Sequence, residues 1–257
     1  MINAGQLNPV ESFLLTLQNY TLNSIEIFKG LKAAVRYRKE TLQEMYLIGA
    51  QSFPIVFLGG LFVGIIMSIE IGYRFETFGA KTMVGRAVAL GMVRELGPVI
   101  TGLLLAARTG AKNATEIGAM QLSEQVDALK AFGVNPIHKL VVPRTVASLI
   151  MFLPLTLIAD LVGIVAGMIV SDLWMNNDAS FFWHSAIYGL QMKDLFVGFL
   201  KPVFFGFFIA SISCSYGLAT SGGNRGLGRA TINAVVVSSV VILAVDFIFT
   251  KVVWEVL

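Results

Sequence analysis

The chain has 257 residues, of which 56% are hydrophobic and only 14% charged, with a net charge of +3. Soluble domains are about one-quarter charged, so this chain carries too little polar material to cover a soluble surface of its size. The small net charge excludes a nucleic-acid footprint, and the apolar residues run in long blocks, which predicts an all-α integral membrane protein.

Residues 8–40 are predicted to form an amphipathic helix lying on the membrane, so that 1–44 is an N-terminal interfacial unit and 45–257 the transmembrane domain. Val10, Phe13, Leu14, Leu17, Phe28, Leu31 and Val35 recur along one face, while Glu11, Asn19, Glu26, Lys29 and Arg36 fall elsewhere. Lys29, Lys32, Arg36, Arg38 and Lys39 suit the anionic headgroups of a cytoplasmic leaflet. The competing reading is a helix packed on a soluble partner. The start, MINAGQLNPVESF, has no basic segment leading into an apolar one, so no signal peptide is expected.

Met45 to Ile69 contains no charge and predicts the first span, with Gly59, Gly60 and Gly64 allowing close helix contact. The second span needs both Ala87–Val93 and Leu96–Ala107 to reach bilayer length, which places Arg94 and Glu95 within the membrane. A cytoplasmic helix at about 113–133 follows, with Asn113 and Glu116 as its start and Gly133 as its stop. Leu122, Val126 and Leu129 line one of its faces below Gly118, and Glu116, Asp127 and Lys130 another. Flanked by Arg108, Lys112, Lys139 and Arg144, such a helix suits a groove on a motor protein. Resting on headgroups is the other reading, which its acids oppose.

The third span is Thr145–Ser171, interrupted by Pro154 and Asp160. Residues 172–194, with Trp174, Phe181, Phe182 and Trp183, read as an external interfacial segment. The fourth span is about Leu195–Leu218 and includes Lys201 and Pro202; the turn TSGGNRGLGRA then leads to a fifth span at about Thr231–Thr250. That turn lacks a Walker Lys-Ser/Thr pair and follows no parallel strand, so the chain is not expected to hydrolyse ATP. Of 19 Lys and Arg, five lie in the N-terminal segment, five in 108–144 and two in 219–230, so twelve share one side. The positive-inside rule then puts the N-terminus in the cytoplasm and, after five spans, the C-terminus outside.

Buried charge is costly in hydrocarbon and marks cavities, pairs or substrate paths. Arg94 and Glu95 point about 100° apart on a helix, and Lys201 falls at comparable depth in an antiparallel bundle. Two cations and an acid around one cavity suit an anionic phosphate headgroup; the alternative is a structural ion pair. For Asp160 and Asp246 a helix-to-helix hydrogen bond is expected ahead of a proton relay. Cys214 is the single cysteine, and His138 and His184 lack a metal constellation, so no metal or cofactor is expected in this chain.

The strings LGMVRELGPVITGLLLAARTGAKNATEIGAMQLSEQVDALKAFGVNPIHKLVVPR (Leu90–Arg144) and GLATSGGNRGLGRATINAVVVSSVVILAVDFIFT (Gly217–Thr250) resemble the MlaE/YrbE permease family. The resemblance, weaker elsewhere, covers roughly residue 45 to the end. It implies a homodimeric permease in a bacterial inner membrane, partnered by two ABC ATPase subunits, which bind the ATP and Mg, by a periplasmic ring of MCE subunits and, in some systems, by a STAS-domain subunit. The implied cargo is phospholipid, although the family includes sterol and plastid lipid systems. Arg94 and Glu95 fall on its charged RELGP motif at the lipid cavity, Lys201 on a basic position in span four, and Asp246 on an acid in the last span. Glu116, Glu124 and Asp127 fall on its coupling helix, where Leu122 and Leu129 supply the apolar face. Two other functions stay open at this point: an ion-coupled secondary transporter, for which no internal repeat is found, and a non-transporting scaffold for a periplasmic ring.

Overall fold

The computed structural model describes residues 9–256, with side chains described from Gln18 onward except Asn19, Val253, Trp254 and Val256. The expected placements of Val10, Glu11, Phe13, Leu14, Leu17 and Asn19 on helix faces lie outside these. Among the described residues there is no strand, and five helical runs are long and apolar enough to cross a membrane.

The N-terminal helix is Pro9–Lys29 and stops eleven residues short of the expected end, because the chain turns at Gly30, against which His138 packs. It is docked on the bundle as well as amphipathic. The Tyr20 hydroxyl lies 3.0 Å from Ser211 Oγ, Asn23 Nδ2 donates to Ser215 Oγ at 3.3 Å, and the Phe28 ring stacks obliquely on Phe207 at 5.0 Å. Ile27 is buried on that side, while Phe28, Leu31 and Val35 keep much of their surface exposed.

Span one is Arg38–Thr77, longer than the uncharged core of 45–69 that marks it. Its 40 residues extend about 60 Å, twice the hydrocarbon thickness, so both charged ends project beyond the apolar layer. Span three, Ile137–Met175, crosses it along a seam of small residues: Gly60, Gly64 and Ser68 face Ala159, Gly163 and Gly167. A Cβ on Gly64 would lie 2.0 Å from the Gly163 carbonyl oxygen, so the backbones touch there, and Ser68 Oγ donates to the Gly167 carbonyl at 2.7 Å. Without a hydrophobic drive between helices in lipid, such close approach supplies the dispersion contact that holds them together.

Span two is one helical run, Lys81–Leu122, rather than a span ending at Ala107 followed by a separate helix. Met92–Leu96 and Ala106–Gly110 are π-helical turns that shift the helix phase without interrupting it. Asn113 is consequently no helix start: it is fully buried in mid-helix. The expected coupling helix is confined to Gln125–Ala131, entered through Glu124 in the left-handed conformation (φ 60°) and stopped as expected by Gly133 (φ 72°). Val126 is buried, and Leu122 and Leu129 half-buried beside it.

Beyond span three, the helix Ala179–Gly189 starts at Asp178, whose carboxylate accepts the Ser180 amide at 2.7 Å. Span four is Met192–Leu218 and opens with a capping box between Gln191 and Asp194. Span five is Gly223–Val256. The expected glycine-rich turn shrinks to the residues before it, since Asn224 to Ala230 are already helical; only Gly222 and Gly223 use the left-handed conformation (φ 84° and 67°). Ile48, Val56, Leu105, Phe152, Phe205, Ile209 and Ile242 form the core where all five spans meet.

Candidate functional site

Polar side chains from spans two, four and five converge at one end of the bundle. Lys201 is completely buried, and its ammonium lies 2.7 Å from Glu95 Oε2 and 2.8 Å from Asp246 Oδ1. The Asp246 contact is an ion pair not aligned as a hydrogen bond, because Oδ1 has no hydrogen-bond partner. The Thr250 hydroxyl bridges the group, within 3.1 Å of both Lys201 Nζ and Glu95 Oε1.

A backbone group completes the shell. Lys201 Nζ donates to the Arg94 carbonyl at 2.8 Å. In an α-helix that oxygen would accept the amide four residues on, but residue 98 is proline and has none. The π-turn Met92–Leu96 adds its own displacement, with the Gly97 amide reaching back to the Met92 carbonyl. Arg94 and Glu95 therefore point to different partners. Glu95 reaches Lys201, while the Arg94 guanidinium pairs with Asp194 at 3.3 Å.

The expected depth match of Lys201 with Arg94 and Glu95 holds, and Asp246 joins them. The expected charge balance does not. Two cations, Arg94 and Lys201, face three carboxylates, Glu95, Asp194 and Asp246, so the cluster is acidic when all are ionised. Both cations already have carboxylate partners. Neither the cavity of about 340 Å³ beside Arg86 nor that of about 630 Å³ between spans one and three is lined by any of these residues. Glu95, with 37% of its side chain exposed, is the most open of the five charged members.

A second polar cluster lies at the opposite end. Arg144 Nη2 donates to Glu116 Oε2 at 2.9 Å and Arg144 Nε lies 3.3 Å from Glu44 Oε1; Lys112 pairs with Glu44 at 2.7 Å and approaches Glu116 at 3.8 Å. Glu116, expected on the coupling helix, is thus held in a knot joining spans one, two and three. Along span two, Glu95 and Glu116 are 21 positions apart, about 30 Å of helix, so the two clusters mark the two faces of the hydrocarbon layer.

Of the other expected coupling residues, Glu124 is exposed, and Asp127 is exposed and paired with Lys130 at 2.8 Å. Asp160 is isolated between the two clusters: it packs against Gly97 of span two, and its buried Oδ1 has no hydrogen-bond partner, contrary to the expected helix-to-helix bond. Asp194 and Thr250 are the members that sequence reasoning missed. Asp194 falls in the segment expected to be external and interfacial, yet as third residue of the helix Met192–Leu218 it pairs with Arg94, and Thr250 stands one helical turn beyond Asp246.

A family model described as Permease MlaE matches residues 41–252. A probable ABC transporter permease protein of Rickettsia typhi is 36% identical over 220 residues, covering 86% of this chain and 85% of its own. The intermembrane phospholipid transport system permease protein MlaE of Haemophilus influenzae is 34% identical over 212 residues, covering 82% of this chain and 81% of its own. The chloroplastic protein TRIGALACTOSYLDIACYLGLYCEROL 1 of Arabidopsis thaliana is 36% identical over 225 residues, covering 88% of this chain and 64% of its own.

Proposed function

The chain belongs to the MlaE permease family, and from that premise we propose that it is the membrane subunit of an ATP-driven transporter that moves phospholipid between the inner membrane and MCE proteins serving the outer membrane. Two copies form the permease. ATP and Mg are bound, and the ATP hydrolysed, by separate ABC ATPase subunits on the cytoplasmic side, where a STAS-domain subunit joins in some systems. The N-terminus and the Arg144 cluster are cytoplasmic, and the Lys201 cluster and C-terminus periplasmic. Arg74, Lys81 and Arg86, between spans one and two, fall on the opposite side and weaken this asymmetry, partly offset by the pairing of Arg74 with Glu70 and Lys81 with Glu76.

The observation that carries the reading is the buried ammonium of Lys201 between Glu95 and Asp246. With two carboxylates on one cation, the site holds no idle positive charge for a phosphate. A headgroup oxyanion that engages Lys201 must displace a carboxylate, and Glu95 is the partner open enough to leave. Headgroup entry is thereby coupled to a rearrangement among spans two, four and five. Glu124, Asp127 and the apolar face of Leu122 and Leu129 form the seat for the ATPase, with Glu116 bracing it from the Arg144 cluster.

The test is purification in mild detergent with identification of bound subunits and lipid, followed by lipid transfer in reconstituted vesicles. Co-purification with an ATPase, and ATP-dependent transfer lost on Lys201→Met with assembly retained, are expected. Transfer driven by an ion gradient without ATPase would point to a secondary transporter, and assembly without transfer in the unsubstituted complex to a scaffold.

A further inference from the structure

The helix Ala179–Gly189 is clamped onto the start of span two. A Cβ on Gly85 would lie 2.2 Å from the Phe182 carbonyl oxygen, and one on Gly189 would lie 2.3 Å from Arg86 Cγ, so the missing side chains let both surfaces close. Ser185 Oγ donates to the Thr82 carbonyl at 2.9 Å and pins the same contact. Between the two elements remains a cavity of about 340 Å³ lined by Thr82, Arg86, Phe181, His184, Ser185 and Tyr188, among others.

Several cations around this end of the bundle have carboxylate partners. Arg74 has Glu70, Lys81 has Glu76, Arg94 has Asp194 and Lys201 has Glu95 and Asp246. Arg86 has no carboxylate within 4.0 Å among the described residues. His184 and Tyr188 stack on each other at 4.2 Å, one helical turn apart, which fixes both rings. Neither their polar atoms nor the guanidinium has a hydrogen-bond partner among the described residues. A planar cation, an imidazole and a phenol, all three exposed, therefore line one open pocket without a protein partner for their donors among the described residues. Exposed Trp174 and Trp183 place it at the headgroup level, where such rings concentrate.

We propose that this pocket binds the phosphate of a phospholipid from the leaflet on its side, with Arg86 gripping two phosphate oxygens and His184 and Tyr188 supplying the remaining donors. A guanidinium matches a phosphate with two parallel hydrogen bonds, where an ammonium offers a point charge. Gly189 is the enabling residue, because any side chain there pushes the Arg86 stem out of place. The site deepens the lipid-transfer reading by giving the headgroup a station outside the Lys201 cluster, and it rests on that reading only for its purpose, since binding is measured separately.

The experiment is native mass spectrometry of the purified complex titrated with phosphatidylglycerol in detergent, beside sn-glycerol-3-phosphate and diacylglycerol as the headgroup and tail halves. Phosphatidylglycerol is expected to bind tightly at this site, counted in a Lys201→Met background so that the Lys201 cluster does not contribute, with neither half alone competing at equal concentration. Arg86→Gln is expected to weaken that site about ten- to a hundredfold, Arg86→Lys to restore part of the loss, and Tyr188→Phe to weaken it less. Gly189→Ala, which keeps the charge, should mimic Arg86→Gln. Unchanged binding in Arg86→Gln with the complex assembled would overturn the proposal, as would equal competition by glycerol phosphate, which would make the ligand a soluble phosphate. If Arg86→Gln does not assemble, the Tyr188→Phe titration decides, and unchanged affinity there overturns the site. Normal transfer by Lys201→Met together with lost lipid in Arg86→Gln would remove the role of the Lys201 cluster and leave this site standing.

Discussion

The two ends of the bundle solve the same problem differently. At one end Arg144 and Lys112 meet Glu44 and Glu116, two cations against two acids, tying spans one, two and three. At the other Lys201 meets Glu95 and Asp246, one cation against two acids, tying spans two, four and five. A balanced knot loses by any exchange of partners and acts as a fixed clamp. An unbalanced one leaves a carboxylate to be released or protonated, so it can be rearranged by a ligand. Span two enters both, so a change at one end has a continuous helix along which to reach the other.

The largest expected effect is at the unbalanced end. Lys201→Met leaves two carboxylates facing each other at the edge of the hydrocarbon, and unpairing a buried charge costs about 3–5 kcal/mol. Lower thermal stability and abolished lipid transfer are expected. Adding Glu95→Gln and Asp246→Asn should recover stability but not transfer, whereas recovery of both would make the knot merely structural. Arg144→Met should cost less, about 2 kcal/mol, because Lys112 remains beside both acids. Transfer per assembled complex should persist, and its loss would end the distinction between clamp and switch.

Smaller effects sharpen the same contrast at the ATPase seat. Asp127→Asn with Leu129→Ala is expected to weaken ATPase co-purification while lipid binding stays intact. Glu124→Gly should raise thermal stability by about 1 kcal/mol, since the left-handed conformation suits glycine and strains glutamate. A gain in stability with loss of coupled hydrolysis would mean that the strained turn serves the motor.

The five spans were legible because hydrocarbon thickness sets helix length and excludes charge over about 20 residues. The approach of Lys201 to Glu95 was legible too, since antiparallel connection puts early span four beside early span two. The expected helix start at Asn113 fails for a local reason, because span two runs on through it past two π-turns. A π-turn rotates every following residue around the helix, and the two π-turns in span two leave no mark in a 3.6-residue pattern. The pairing of Arg94 with Asp194 depends on how spans two and four meet, which periodicity along either does not contain.

Pro98 denies the Arg94 carbonyl its α-helical amide four residues on, and the Lys201 ammonium donates to that oxygen. A helix completed by its neighbour is not an independent part. Sliding span four away from span two would break that bond at the edge of the hydrocarbon, at a cost of about 1–3 kcal/mol, unless water or a headgroup arrived at the same moment. These two helices consequently travel together, as one piece of machinery. The displaceable joint is the side that lacks such a bond, where Glu95 is partly exposed.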